Sequence, residues 1–372
     1  MIRLFNGLSP RARLNVVRIL PFGIIFFLFD QVFTISDYSA RGNFEDVPDT
    51  AIQVDLAIKI FGSVAVTIVG LLVGAVEVIY LNRRFAAKTL AQKVVYKTLF
   101  YFVLLLGVIL VTFPVAVSME LNTSLFNGLV WERLEAFLFS KSLLNTGIQL
   151  STMLVASLFY SEISEHMGHG VLVKFLTGRY HSPKEETRIF MFSDMKASTR
   201  IAEQLGHRRY FELLRAYYQD LSRGIMSNAG EIHKYVGDEV VVSWPVEVGL
   251  RDNNCIGCFF AMKADLTARA EWYRREFGVA PDFKAGLHIG NVTTGEIGVM
   301  KKEIAFSGDV LNATARIQGL CNAHEVDLLV SGDLLNRLQL DTGVEVESLG
   351  QCELRGKTKK VALHTIELLE TA

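Results

Sequence analysis

The chain has 372 residues, half of them hydrophobic, with a mean hydropathy of +0.30 and a formal net charge of −1. Such a length accommodates two or three domains, the hydropathy is high for a water-soluble protein, and the balanced charge excludes a globally basic nucleic-acid binder. The apolar excess is uneven: it is concentrated before Tyr160, and the remainder has an ordinary globular balance.

Four apolar segments stand out in the first part, at about 19–35, 58–81, 99–117 and 143–159. Each approaches the ~20 residues that a helix needs to cross a bilayer. The first has a long apolar run and no small-residue cleavage site, so it reads as a span and not as a removed signal peptide. Arg3, Arg11, Arg13 and Arg18 precede the first segment, and Arg83, Arg84, Lys88, Lys93 and Lys97 lie between the second and third. The other two loops are acidic, with Asp37, Glu45, Asp46 and Asp49, then Glu120, Glu132 and Glu135. The positive-inside rule then expects a multi-pass protein of the cell (plasma or inner) membrane, with its N-terminus and its C-terminal half both cytoplasmic. Asp30 and Lys59 are expected to reach the interface from segment ends, whereas Glu77 stays open as an intramembrane charge of functional interest.

Residues 161–185 read as a polar helical linker that continues the fourth segment and breaks near Pro183. His166 and His169 read as solvent-facing. Val171 to Leu176 form an apolar patch suited either to local packing or to pairing across a dimer.

From Glu186 the pattern is strand, long helix (197–228), hairpin (232–236 and 240–244), helix (253–277), strand (282–289), a turn region, helix (309–320), a strand near 327–331 and two closing strands. The β-α-β-β-α-β core predicts a ferredoxin-like α+β sandwich. Cys255-x-x-Cys258 lies in a helical stretch, which favours two packed thiols over a redox pair.

Three stretches carry chemistry. Ile189 to Phe192 form an apolar run that stops at Ser193-Asp194, just before a helix start, where free N–H groups and a carboxylate suit phosphate and metal. In His233 to Trp244, Gly237 fits a tight turn and Asp238 projects from it. Taken singly, Asp194 is a helix cap and Asp238 a turn residue. If the two converge, they and substrate phosphates form an oxygen shell for Mg²⁺ or Mn²⁺. In Phe306 to Arg316, Asn312 and Arg316 are four apart and share a helix face, where an amide and a guanidinium can grip a phosphoryl group.

Together these stretches resemble the catalytic domain of class III nucleotidyl cyclases, over about residues 186–368. With the four apolar segments and the loop charges, this gives an expected α-helical membrane domain of four transmembrane helices (1–160), a linker (161–185) and, as the resemblance implies, a cytoplasmic cyclase domain (186–372). The resemblance implies two metal ions per site, Mg²⁺ or Mn²⁺, held by Asp194, Asp238 and the Met195 carbonyl. Asn312 and Arg316 match the pair that holds the ribose and stabilises the transition state. Lys234 matches the lysine that reads adenine, and Lys284 and Lys357 match triphosphate-binding positions. Ala305 stands where the family has an acceptor for the adenine amino group, and Ser307, two residues on, shares its side of a strand. The expected substrate is ATP and the expected product cyclic AMP. The expected partners are a second copy, joined through catalytic domains, linker and membrane helices, and the lipid bilayer; no nucleic acid is expected. A guanylate cyclase and a non-catalytic receptor or scaffold are the alternatives. A diguanylate cyclase is disfavoured because Val236-Gly-Asp-Glu239 lacks paired glycines.

Overall fold

The computed structural model describes residues 10–41, 56–81, 84, 90–167, 182–299, 303–340, 343–353 and 360–369. The chain divides into two compact units, a helical one over Ala12–Val173 and a second built on Lys174–Ala372.

In the helical unit, α1 (Pro10–Arg41), α2 (Leu56–Ala75), α3 (Leu90–Glu120) and α5 (Lys141–Met167) contain the four apolar segments. The stretches Asn15–Asp37, Leu56–Leu81, Val95–Glu120 and Lys141–Ser164 are long and apolar enough to cross a membrane. The sequence pattern did not anticipate α4 (Gly128–Leu138). It forms because Asn127 caps its first turn, accepting the Leu129 N–H at 3.1 Å. Val130, Leu134 and Phe137 recur at helical spacing and are buried, with Phe137 stacked on Phe113 at 4.0 Å.

α2 runs into a π-helical turn, Val76–Leu81, that carries Glu77. Glu77 is 2 % exposed and has partners: Lys97 donates to one carboxylate oxygen and the Tyr101 hydroxyl to the other at 2.6 Å. Asp30 accepts from the Ser63 hydroxyl at 2.6 Å and from Gln31 at 3.0 Å. α5 continues to Met167, so the linker begins as helix; the expected break before Pro183, with His169 and the 171–176 patch, lies outside the described residues.

The second unit is an eight-stranded sheet. Its elements are β1 (Lys184–Met195), α6 (Ser198–Ser227), β2 (Glu231–Val236), β3 (Glu239–Pro245), α7 (Val246–Leu250), α8 (Asn254–Ala268) and α9 (Ala270–Phe277). They are followed by β4 (Phe283–Ile297), β5 (Glu303–Ser307), α10 (Asp309–Gly319), β6 (Leu328–Ser331), α11 (Gly332–Leu335), β7 (Val344–Cys352) and β8 (Val361–Leu368). The strand order is β2-β3-β1-β4-β6-β8-β7, with β5 on the far end of β4. The first four strands and the helices between them make the expected βαββαβ unit. Two expectations need correction. The helix expected over 253–277 is two helices joined at Arg269, and the strand ending at Ile289 runs on to Ile297 and turns back as β5.

β1 is buried without interruption from Arg188 to Ser193 because both its faces are covered. Ile189, Met191 and Met195 pack with α6 and α8, whereas Phe190 and Phe192 pack with Val241, Val292 and Val310 of α10. Asp194 falls in step with Phe190 and Phe192, on the α10 face. Gly286 lets α10 settle on β4. A Cβ there would stand 2.4 Å from the Gln318 backbone nitrogen. Gly286→Ala should therefore destabilise this unit by about 1–3 kcal/mol, measured as an earlier unfolding transition by fluorescence of Trp244 and Trp272. An unchanged midpoint would mean that α10 can lift without cost.

Arg188 is 1 % exposed, donates to Glu231 at 2.7 Å, to Ser243 at 3.0 Å and to Glu186 at 3.3 Å, and lies 4.9 Å over the Phe306 ring. Cys255 and Cys258 are buried side by side in α8. Burial pushes the Cys255 thiol up to about 12, so neither is poised for redox chemistry.

Candidate active site

β1 pairs with β4 on one side and β3 on the other, so its C-terminal end lies beside the β2–β3 turn. That turn has two residues, Gly237 and Asp238, between the paired Val236 and Glu239. Gly237 has φ +63°, the left-handed region that two-residue hairpin loops require. The Tyr218 hydroxyl donates to the Gly237 carbonyl, and the Tyr218 ring packs on Tyr235 at 4.4 Å. Helix α6 thus holds the turn over the end of β1.

The two aspartates converge. The Asp238 carboxyl lies close enough to raise the Asp194 carboxyl by its charge. Burial, then the Asp238 charge, hold the Asp194 carboxyl above its ordinary range, and Lys284 pulls it back. The Lys284 ammonium stands 3.7 Å from Asp194 and 3.2 Å from the Asn322 side-chain oxygen. A hairpin tip is ordinarily exposed, but Oδ2 of Asp238 is buried and has no hydrogen-bond partner. Two crowded carboxylates with an orphaned oxygen fit a divalent cation that prefers oxygen ligands. Among the described residues no three His, Cys, Asp or Glu side chains are placed to hold one metal ion together, and backbone, water or substrate oxygens can complete a shell around two carboxylates.

Lys234 owes its position to a bulge. Ile232 pairs with Val242 and Lys234 with Val241, which makes His233 an extra residue in β2. Directly paired residues share a face, so Lys234 joins Val241 and Phe190 on the α10 face instead of following Ile232. His233 packs on Phe306 at 4.7 Å, bringing β2 against β5. Phe306 also meets Phe190 at 5.5 Å, so Ala305 and Ser307 share the other side of β5.

α10 buries Val310, Ala313, Thr314, Ile317 and Gln318, leaving Asn312 exposed and Arg316 partly so. Among the described residues, no hydrogen bond or ion pair joins Asn312 or Arg316 to either aspartate. Lys357 lies outside the described residues.

Two neighbours of the aspartates were missed. Glu239 is half-buried, and burial followed by the Asp194 charge raises its carboxyl, so a third acid crowds the pair. Gln318, 7 % exposed, points its amide nitrogen toward Asp194 and draws that carboxyl down, though it stands outside hydrogen-bonding distance. The signal for Gln318 was its spacing from Ile317 and Thr314, which puts it on the buried face of α10.

The family model for the adenylate and guanylate cyclase catalytic domain matches residues 180–367, half of the chain. The chain belongs to that family. Adenylate cyclase 2 of Rhizobium meliloti (strain 1021) is 36 % identical over 206 residues, covering 55 % of this chain and 57 % of that protein. An adenylate cyclase of Anabaena cylindrica is 19 % identical over 186 residues, 48 % of this chain and 36 % of that one. The chain therefore spans less than two thirds of the length of either. Among solved structures, a bacterial light-regulated adenylyl cyclase shares the fold with a TM-score of 0.52 at 21 % identity, over 62 % of this chain and 67 % of that one.

Proposed function

We propose that this chain is an adenylate cyclase, anchored in a membrane by its helical half, that converts ATP to 3′,5′-cyclic AMP and pyrophosphate at sites shared between two copies. The carrying observation is the convergence of Asp194 and Asp238 around an orphaned buried oxygen. The sharing of each site between two copies follows the resemblance to class III cyclases, in which the metal aspartates and the Asn/Arg pair of one site come from different subunits. The R. meliloti relative, named as an adenylate cyclase, supports the adenine preference.

Asp194, Asp238 and the Met195 carbonyl would hold Mg²⁺ or Mn²⁺. Bound there, such ions lower the pKa of the ribose 3′-hydroxyl and neutralise phosphate charge. Arg316 opposes the negative charge that grows as the 3′-oxygen closes on the α-phosphorus and pyrophosphate departs, so it acts chiefly on the transition state. Asn312 orients the ribose, and Lys284 and Lys357 bind the triphosphate. Lys234 donates to N1 of adenine, an acceptor; N1 of guanine is a donor and repels it. Ser307 supplies the acceptor that Ala305 lacks.

The test is the full chain in nanodiscs with Mn²⁺ and either ATP or GTP, assayed for cyclic product. ATP should be preferred; product from neither nucleotide overturns the reading. Lys234→Glu should narrow the ATP:GTP ratio of kcat/KM, and an unchanged ratio would show that the base is read elsewhere.

A further inference from the structure

One residue beyond Met195, four charged side chains close a ring. The Lys196 ammonium bridges Asp282, at 2.8 Å, and Asp327. The Lys263 ammonium, from α8, bridges the same two carboxylates, reaching Asp327 at 2.6 Å. Backbone bonds tie the ring to the sheet: Lys196 N–H donates to the Asp282 carbonyl at 2.8 Å, and Ala285 N–H to the Asp327 carbonyl at 2.7 Å. The Asp282 carboxylate also accepts the Phe283 N–H at 2.8 Å, and Lys263 lies 4.9 Å over the Phe283 ring.

The ring joins the exit of β1, the start of β4, the approach to β6 and α8. In the β1–β4 ladder Met195 faces Phe283 and Asp194 faces Lys284, so it grips both strands within two residues of Asp194. Stability alone is a poor account of it. Side chains of Lys196, Asp282 and Asp327 are 39, 45 and 41 % exposed, and pairs so exposed add little to folding. What four shared contacts supply instead is a fixed position for the chain leaving β1.

We propose that Lys263 is a positioning residue for the cation site: through Asp282 and Asp327 it sets where the Met195 carbonyl and the Asp194 carboxylate stand. This rests on the reading of Asp194 as a cation ligand. Nothing else in the mechanism uses Lys263, which touches neither aspartate of the pair.

The test measures Mn²⁺ binding to the full chain in nanodiscs by the electron paramagnetic resonance of free Mn²⁺, alongside KM for ATP and the tryptophan-monitored unfolding midpoint. Lys263→Met should weaken Mn²⁺ binding about 10–100-fold, the range seen when groups that orient metal ligands are removed. The unfolding midpoint should move little, and Lys263→Arg should restore most of the affinity. Should Lys263→Met fail to fold, Asp327→Asn, which keeps the side chain's shape, should show the same loss. Wild-type affinity in the folded variant overturns the inference while leaving the site intact. Absence of Mn²⁺ binding by the wild-type chain overturns the reading of the site itself, and the inference with it.

Discussion

Asp238→Asn should abolish cyclic-nucleotide formation and, in metal-free buffer, raise the unfolding midpoint of the catalytic unit. Two effects that usually travel together are expected to separate. Activity is lost because an amide is a far weaker cation ligand than a carboxylate. Stability rises because the wild-type carboxylate keeps an orphaned buried oxygen beside a second half-buried acid, and leaving a buried polar atom unpaired costs about 1–3 kcal/mol. The amide can donate to Asp194, and it carries no charge. The pH dependence follows with a definite sign. Asp194 titrates above its ordinary 3.8 in the folded state, so folding takes up a proton in that window, and stability falls as pH rises through it. The variant, with one of the raising charges gone, should show a shallower fall. An assay for cyclic product checks the first point, and unfolding followed by Trp244 and Trp272 fluorescence between pH 4 and 8, without and with Mn²⁺, checks the other two. A midpoint lowered by the substitution would mean that Asp238 is satisfied by its surroundings and is not held ready for a cation.

Arg316→Ala should lower kcat on the order of 10²–10³-fold with little change in KM, as expected for a group that meets charge developing in the transition state. A change confined to KM would make the residue a ground-state phosphate contact. The same variant tests the architecture. In the site proposed above, the aspartates come from one copy and the α10 face from another. In a two-fold dimer, Asp194→Ala coexpressed with Arg316→Ala concentrates both defects in one site and leaves the other whole. Random pairing makes about half the dimers mixed, each with one good site of two, so roughly a quarter of wild-type activity should return. No return, with mixed dimers confirmed by pull-down, would place Asp194 and Arg316 of each site in one subunit.

How far the sequence went depended on what each signal encodes. The apolar run at Ile189–Phe192 and the turn at Gly237-Asp238 are local signals, and both landed where local rules put them. The βαββαβ order was equally readable, because each element carries its own periodicity. What escaped was long-range. The role of Glu77 stayed open because its partners, Lys97 and Tyr101, sit one helix away. Asp238 was expected to be exposed as a hairpin tip, and Tyr218 from α6 clamps that tip against the sheet instead. The bulge at His233, which decides the face Lys234 takes, leaves no mark in a six-residue strand. Helix α4 was overlooked because three buried positions in eleven residues are too few to stand out between two long apolar runs.

The contacts of Glu77 bear on how the helical half can move. Separating Lys97 from a carboxylate that is 3 % exposed would strand a charge among apolar side chains, at about 3–5 kcal/mol for a buried pair. α2 and α3 are therefore riveted near one end. α1 is seated on α2 as well: Phe22 and Phe26 press into Gly70 and Gly74, where even a Cβ would come within 2.8 Å, and Asp30 is tied to Ser63. Three helices so fastened behave as a stiff block, and thermal motion in this half should be shared by all three instead of appearing as one rod sliding past another.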